Sequence, residues 1–199
     1  MLSVAVQAGG QSTRMGENKA LKPFLGNPLI QRVVTRLAPI ADEILVTTNQ
    51  PADFAFLGLP LFPDLKPGRG PLGGLYTALV SAQNPVVAVV ACDMPFVNAE
   101  LLEAAASLLV TEEADVVIAK TPEGFEPLHA VYRREACIQA IEAAIAQDQW
   151  RMVSWFPAVN VRVLTLDEVD RYDPARLAFW NVNTPEDFTE AEQRARLSE

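Results

Sequence analysis

One histidine and two cysteines in 199 residues leave little room for several kinds of chemistry. His129 has no serine or cysteine with a carboxylate beside it in sequence, and no second histidine exists to share a metal, so it reads as a structural residue. Cys92 and Cys137 are too few for a disulfide scaffold or a thiolate metal cluster. Both lie in apolar contexts, as expected of reduced core thiols in a cytoplasmic protein. No apolar stretch approaches the length that crosses a bilayer, and the N-terminus lacks a charged segment followed by a long apolar one. Positive charge is also scarce, with 16 Lys and Arg against 25 Asp and Glu and a net charge of −9. That balance argues against nucleic acid or an anionic membrane as a partner. Internal repeats, low-complexity tracts and a recognisable linker are all missing, so residues 1–199 read as a single domain.

What the chain does have is apolar residues, half of its composition, enough for a sizeable core. Short apolar runs alternate with helical periodicity, the pattern of an α/β fold: a three-layer, doubly wound, mostly parallel sheet. Strands are expected at 2–6, 43–47, 61–62, 85–91, 116–119, 128–132, 161–164 and 179–182. Residues 85–91 form the most hydrophobic run, which suits a central strand buried on both faces. Helices are expected from Pro28 to about Ala38, where Pro39 stops the first, then from the glycine-rich stretch at 66–74 and after Asn98 as N-cap. Further helices fit 135–146, a short piece at 150–156, and a last one starting at Thr184 with Asp187 three positions on.

The first strand breaks at Gly9 and Gly10 into a polar loop that carries Arg14 and Lys19. Glycines after a strand let the backbone approach a ligand, and two cations in the same loop suit a polyphosphate. Residues 1–36 hold Arg14, Lys19, Lys22, Arg32 and Arg36 against Glu17 alone, a positive island in an acidic chain. The spacing is neither that of a P-loop, since Gly16 is followed by Glu17, nor that of the dinucleotide fingerprint. Asn49, Asp64 and Asp93 each follow the carboxyl end of an expected strand, the edge at which open α/β sheets bind ligands. Asp93 carries most information. A carboxylate directly after a fully apolar strand needs a cation or hydrogen-bond donors, and Mg²⁺ shared with phosphates would supply the former. Taken alone, Asp93 is accounted for equally well as a strand-end aspartate capping the following turn, and Asp64 and Asn49 have a weaker case still, since such residues are common at turns and strand ends.

The stretch Ala8-Gly9-Gly10-Gln11-Ser12-Thr13-Arg14-Met15-Gly16-Glu17-Asn18-Lys19 resembles the signature L-A-G-G-x-S-x-R-M-G-x-D-K of nucleotidyltransferases. Within that superfamily the chain most resembles the molybdenum cofactor guanylyltransferases. The likeness continues through Gly70-Pro71-Leu72-Gly73-Gly74, Cys92-Asp93-Met94-Pro95 and Glu126-Pro127-Leu128. It ends at Asn181-Val182-Asn183-Thr184-Pro185-Glu186-Asp187, so it spans nearly the whole sequence in order. Two positions depart from the pattern: Gln7 stands where leucine is usual, and Asn18 where an acidic residue precedes the lysine.

The resemblance implies a Rossmann-like nucleotidyltransferase fold with a nucleotide-binding N-terminal half and a C-terminal half for molybdopterin or a partner protein. GTP would be held by the backbone of Gln7, Ala8 and Gly9, by Lys19 on its phosphates, and by Asn49 and Asp64 on its guanosine. Asp93 would bind Mg²⁺ and nucleotide together, with Arg14 and Lys19 stabilising charge on the transferring phosphates. Arg151, Asn181 and Asn183 would contact the pterin. The implied reaction joins the terminal phosphate of molybdenum-loaded molybdopterin to the α-phosphate of GTP, releasing pyrophosphate. An anionic nucleophile needs no general base, which suits a chain with one histidine. A molybdoenzyme or a cofactor-insertion protein would receive the product. The sister cytidylyltransferases show A-A-G where this chain has Ala8-Gly9-Gly10, and the second glycine leaves room for a purine. A non-catalytic nucleotide-binding partner of molybdoenzymes is the alternative from another class.

Overall fold

The first strand, β1 (Leu2–Gln7), is buried along its whole length. Successive apolar side chains therefore enter opposite cores, with Val4 and Val6 on one face of the sheet and Ala5 on the other. The computed structural model describes residues 1–9 and 18–198; Gly10 and Arg14 lie outside the described residues. After a 3₁₀ turn at Lys19–Leu21 come a small hairpin, β2 (Pro23–Phe24) and β3 (Asn27–Pro28), and then α1 (Leu29–Leu37). Leu25 and Gly26 at the hairpin tip both have positive φ, the two-residue turn that matches strand twist. Pro39 sits in the 3₁₀ turn that ends α1.

The chain continues through β4 (Glu43–Thr47), α2 (Pro51–Phe54), β5 (Leu61–Phe62), α3 (Gly70–Ser81) and β6 (Val86–Ala91). Then follow α4 (Ala99–Thr111), β7 (Val116–Thr121), β8 (Gly124–Arg133), α5 (Arg134–Ala146), β9 (Val161–Leu164), α6 (Leu166–Tyr172) and α7 (Pro185–Ser198). The seven-stranded sheet has the order β5-β4-β1-β6-β8-β7-β9. Every pairing in it is parallel except those of β8, which runs antiparallel to β6 and β7. This is the mostly parallel, doubly wound sheet that the alternation of elements implied. One core lies between the sheet and α1, α4 and α6, and a second between the sheet and α3 and α5. A smaller third cluster forms where Phe188, Ala191 and Ala195 of α7 cover Phe24, Leu29 and Phe96.

Two expected elements are absent. Residues 179–182 form no strand: the Trp180 N–H turns back to the Leu177 carbonyl (3.0 Å), and the Val182 N–H donates to the Asp93 carbonyl (3.0 Å). Their apolar side chains are spent on separate contacts instead, Phe179 edge-on to His129 and Trp180 stacked on Phe96. The segment is a strap across the carboxyl edge of the sheet. Residues 150–156 make turns rather than a helix and run into a 3₁₀ turn at Phe156–Ala158. Trp155 and Phe156 pack edge to face there, and Pro157 has no N–H for a helical ladder. The expected strand at 128–132 is longer, because Gly124 at φ +137° lets β7 turn directly into β8.

Candidate active site

Because β1, β4, β5 and β6 are parallel, their last residues meet at one edge, and a cavity of about 230 Å³ opens there. Gln7, Ala8 and Gly9 at the end of β1, Lys19, and Asp93 after β6 all line it. Pro71, in the first turn of α3, lines it too, so the positive end of a twelve-residue helix faces the cavity. Not every backbone group at the end of β1 is free for a ligand. The Ala8 N–H donates to the Thr47 carbonyl (2.8 Å), and the Gln7 carbonyl accepts from the Cys92 N–H (3.2 Å). Gly9 is exposed, and a Cβ added to it would meet nothing within 4 Å.

Burial raises the Asp93 carboxyl above the usual carboxylate range, opposed by the Lys19 ammonium and by a backbone hydrogen bond. The adjacent Cys92 thiol is pushed up as well, by burial first and then by the Asp93 charge. Lys19 is held in place by its Nζ, which donates to Oδ1 of Asn183 at 3.1 Å. Asn18, where the family pattern has an acid, caps the 3₁₀ turn that carries Lys19: its Oδ1 accepts from the Ala20 N–H at 3.2 Å. Asparagine caps a turn as well as aspartate does, so the departure preserves the loop and removes one negative charge from the cavity wall.

Asn49 and Asp64 are not on the cavity lining. They bond to each other at the ends of β4 and β5, Asn49 Nδ2 to Asp64 Oδ2 at 2.8 Å and the Asp64 N–H to Asn49 Oδ1 at 3.0 Å. Asn181 and Asn183 line a different and larger cavity, about 650 Å³, built from the β7–β8 hairpin, α6 and the strap. The Lys19–Asn183 hydrogen bond lies between the two cavities, since each lines one of them. Arg151 is exposed after α5 and lines neither. No cluster of three or more metal-type ligands occurs among the described residues. Among the described residues Asp93 is the one acidic residue on the smaller cavity, a donor set that fits Mg²⁺ only if phosphates supply further oxygens.

Sequence reasoning left two supports unseen. Gln7 Nε2 donates to the Pro71 carbonyl at 3.1 Å, and its amide packs so close to Gly74 that a Cβ there would lie 2.2 Å from Nε2. The glycine in α3 thus makes space for a glutamine in β1, a link that only a tertiary contact reveals. His129 Nε2 accepts the Asn98 N–H at 3.3 Å, while Asn98 Oδ1 caps α4 by accepting from Leu101 at 2.9 Å. A lone histidine opposite a capping asparagine leaves no signal in sequence.

Comparison with known proteins agrees with this geometry. Residues 4–159 match the model of the MobA-like NTP transferase domain. A probable molybdenum cofactor guanylyltransferase of Carboxydothermus hydrogenoformans is 37% identical over 94% of this chain and 93% of its own length. Another, from Natronomonas pharaonis, is 39% identical over 95% and 96%. The crystal structure of molybdopterin-guanine dinucleotide biosynthesis protein A from Archaeoglobus fulgidus superposes with a TM-score of 0.84 at 28% identity, covering 98% of this chain and 99% of that one. The chain belongs to the MobA-like NTP transferases and, within them, to the molybdenum cofactor guanylyltransferase family.

Proposed function

We propose that this protein transfers GMP from GTP to the terminal phosphate of molybdenum-loaded molybdopterin and releases pyrophosphate. The observation that carries the proposal is the pair Asp93 and Lys19 on one small cavity, joined through Asn183 to a second cavity large enough for the acceptor. The N-terminal half of the chain then handles the nucleotide and the C-terminal half the pterin. Gln7, Ala8 and Gly9 hold GTP at the end of β1, and Lys19 neutralises its phosphates. Asn49 and Asp64, as a mutually bonded pair, meet the guanosine end. Asn181 and Asn183 meet the acceptor, Arg14 is assigned to the phosphates, and Arg151 is assigned to the pterin although it lines neither cavity.

Bringing two polyanions together is the main obstacle, and the reaction needs positioning and charge neutralisation more than proton transfer. The acceptor phosphate is already anionic, so no side chain has to act as general base. Lys19 is suited to the transferring group because Asn183 restrains its ammonium between the two cavities. Asp93 would hold Mg²⁺, which when bound supplies positive charge to the nucleotide phosphates. Burial raises the Asp93 pKa despite the Lys19 ammonium, and a cation at the carboxylate would offset that cost of burial.

The test is an incubation of the protein with Mg²⁺, molybdenum-loaded molybdopterin and either GTP or CTP, followed by pyrophosphate and dinucleotide. Turnover with GTP and not CTP is expected, and Asp93→Asn should lower kcat at least about a hundredfold. Turnover with CTP alone would overturn the base assignment. Nucleotide binding without turnover would favour the non-catalytic alternative.

A further inference from the structure

Glu126 belongs to neither the phosphates nor the fold, yet it faces the larger cavity from the start of β8. Its Oε1 accepts from the Thr121 hydroxyl at 2.9 Å across the β7–β8 hairpin, and no ion pair involves it among the described residues. Arg176 also lines the cavity, but the Nε–Nη2 edge of its guanidinium donates to Asp170, at 2.7 and 2.8 Å, and not to Glu126. The half-buried carboxyl is raised above the ordinary range by burial, and the nearby Glu123 adds to the effect. Phe125 and Phe179 line the same cavity, so it offers aromatic surface to a flat ring.

A carboxylate in this setting gains most from two parallel N–H donors, the arrangement in which bidentate pairing is strongest. An N–H beside an exocyclic amino group on a six-membered ring presents that pair. The pterin of the acceptor and the guanine of GTP both carry such an edge. The placement decides between them, because Glu126 lies on the larger cavity, with Asn181 and Asn183, and not on the one formed by Gln7, Ala8 and Gly9.

We infer that Glu126 is the residue by which this protein recognises its acceptor, accepting the paired N–H donors of the 2-amino-4-oxopyrimidine edge of a pterin in the cavity between the β7–β8 hairpin and the strap at 179–183. The inference rests on the transferase reading for the identity of the acceptor, but its test does not need turnover. Fluorescence titration compares 6-hydroxymethylpterin with 6-hydroxymethyllumazine, which carries an oxygen in place of the 2-amino group. The protein should bind the pterin at least about tenfold more tightly, and Glu126→Gln, of equal size, should erase the difference. A parallel titration compares GTP with XTP, which makes the same replacement on guanine; Glu126→Gln should leave that ratio as it is. Unchanged melting temperature checks the fold of the variant. Equal binding of pterin and lumazine, no binding of either, or a Glu126→Gln effect confined to GTP against XTP overturns the inference. Any of these can occur while GTP turnover stands, and pterin selectivity can hold while turnover fails, so the two readings fall separately.

Discussion

Acid should loosen this protein through its one histidine. His129 is 3% exposed, and burial lowers its pKa to about 4 from the ordinary value near 6.5. Its Nε2 accepts a hydrogen bond, so the folded state needs the neutral ring. Between those two pKa values the unfolded chain binds a proton that the folded chain refuses. Stability from this group is therefore complete above about pH 6.5 and is lost as pH falls toward 4. Linkage gives a loss of roughly 2 kcal/mol from pH 7.5 to pH 5, and about 3 kcal/mol once both states are protonated. Carboxylates titrate in the same range, but His129→Gln isolates the histidine, because all other groups are common to both proteins. Urea unfolding of the two at a series of pH values should show the wild-type advantage shrinking by that roughly 2 kcal/mol at pH 5. In the NMR spectrum a single imidazole resonance should titrate with a midpoint near pH 4. A midpoint near 6.5, or a stability difference flat with pH, would refute the reasoning. The effect should reach the active-site edge as well, because the same ring supports Asn98 at the start of α4 and Phe179 in the strap.

Two further outcomes follow from packing and charge. Gly74→Ala should cost about 1–3 kcal/mol through overlap with Gln7, while in a Gln7→Ala background the same change should be neutral or stabilising; additive effects in the double-mutant cycle would show that the two do not touch. Glu168, which closes the capping box of α6 and pairs with Arg162, has its pKa lowered to about 2, chiefly by that arginine. Its contribution should be complete above the ordinary carboxylate pKa and vanish as pH falls through about 2. After allowance for solvent screening, Glu168→Ala should destabilise by about 1–2 kcal/mol at pH 7, and by close to nothing at pH 2 when measured by thermal unfolding.

The local signals were those in which one residue type has one cheap explanation. Asn98 and Thr184 cap α4 and α7 as their types suggest, and the apolar run of β6 lies between β1 and β8 in the middle of the sheet. Gln7, Ala8, Gly9, Lys19 and Asp93 could be placed at one edge because parallel strands end on the same side. The strap at 179–182 was illegible for the opposite reason: a short run of Phe179, Trp180 and Val182 satisfies a strand and a cross-packed loop equally well.

Sequence by itself determined the layer order, the polar residues at the strand ends and the family, because hydrophobic period, caps and motif spacing are local properties of the chain. Only the tertiary structure decided that Asn49 and Asp64 spend their polar atoms on each other, that Asn183 restrains Lys19, and that Gln7 occupies the space left by Gly74. Those facts are pairings between segments up to 164 residues apart. A side chain's partner at that range is set by how the sheet twists and the helices cover it, and no single segment carries that information.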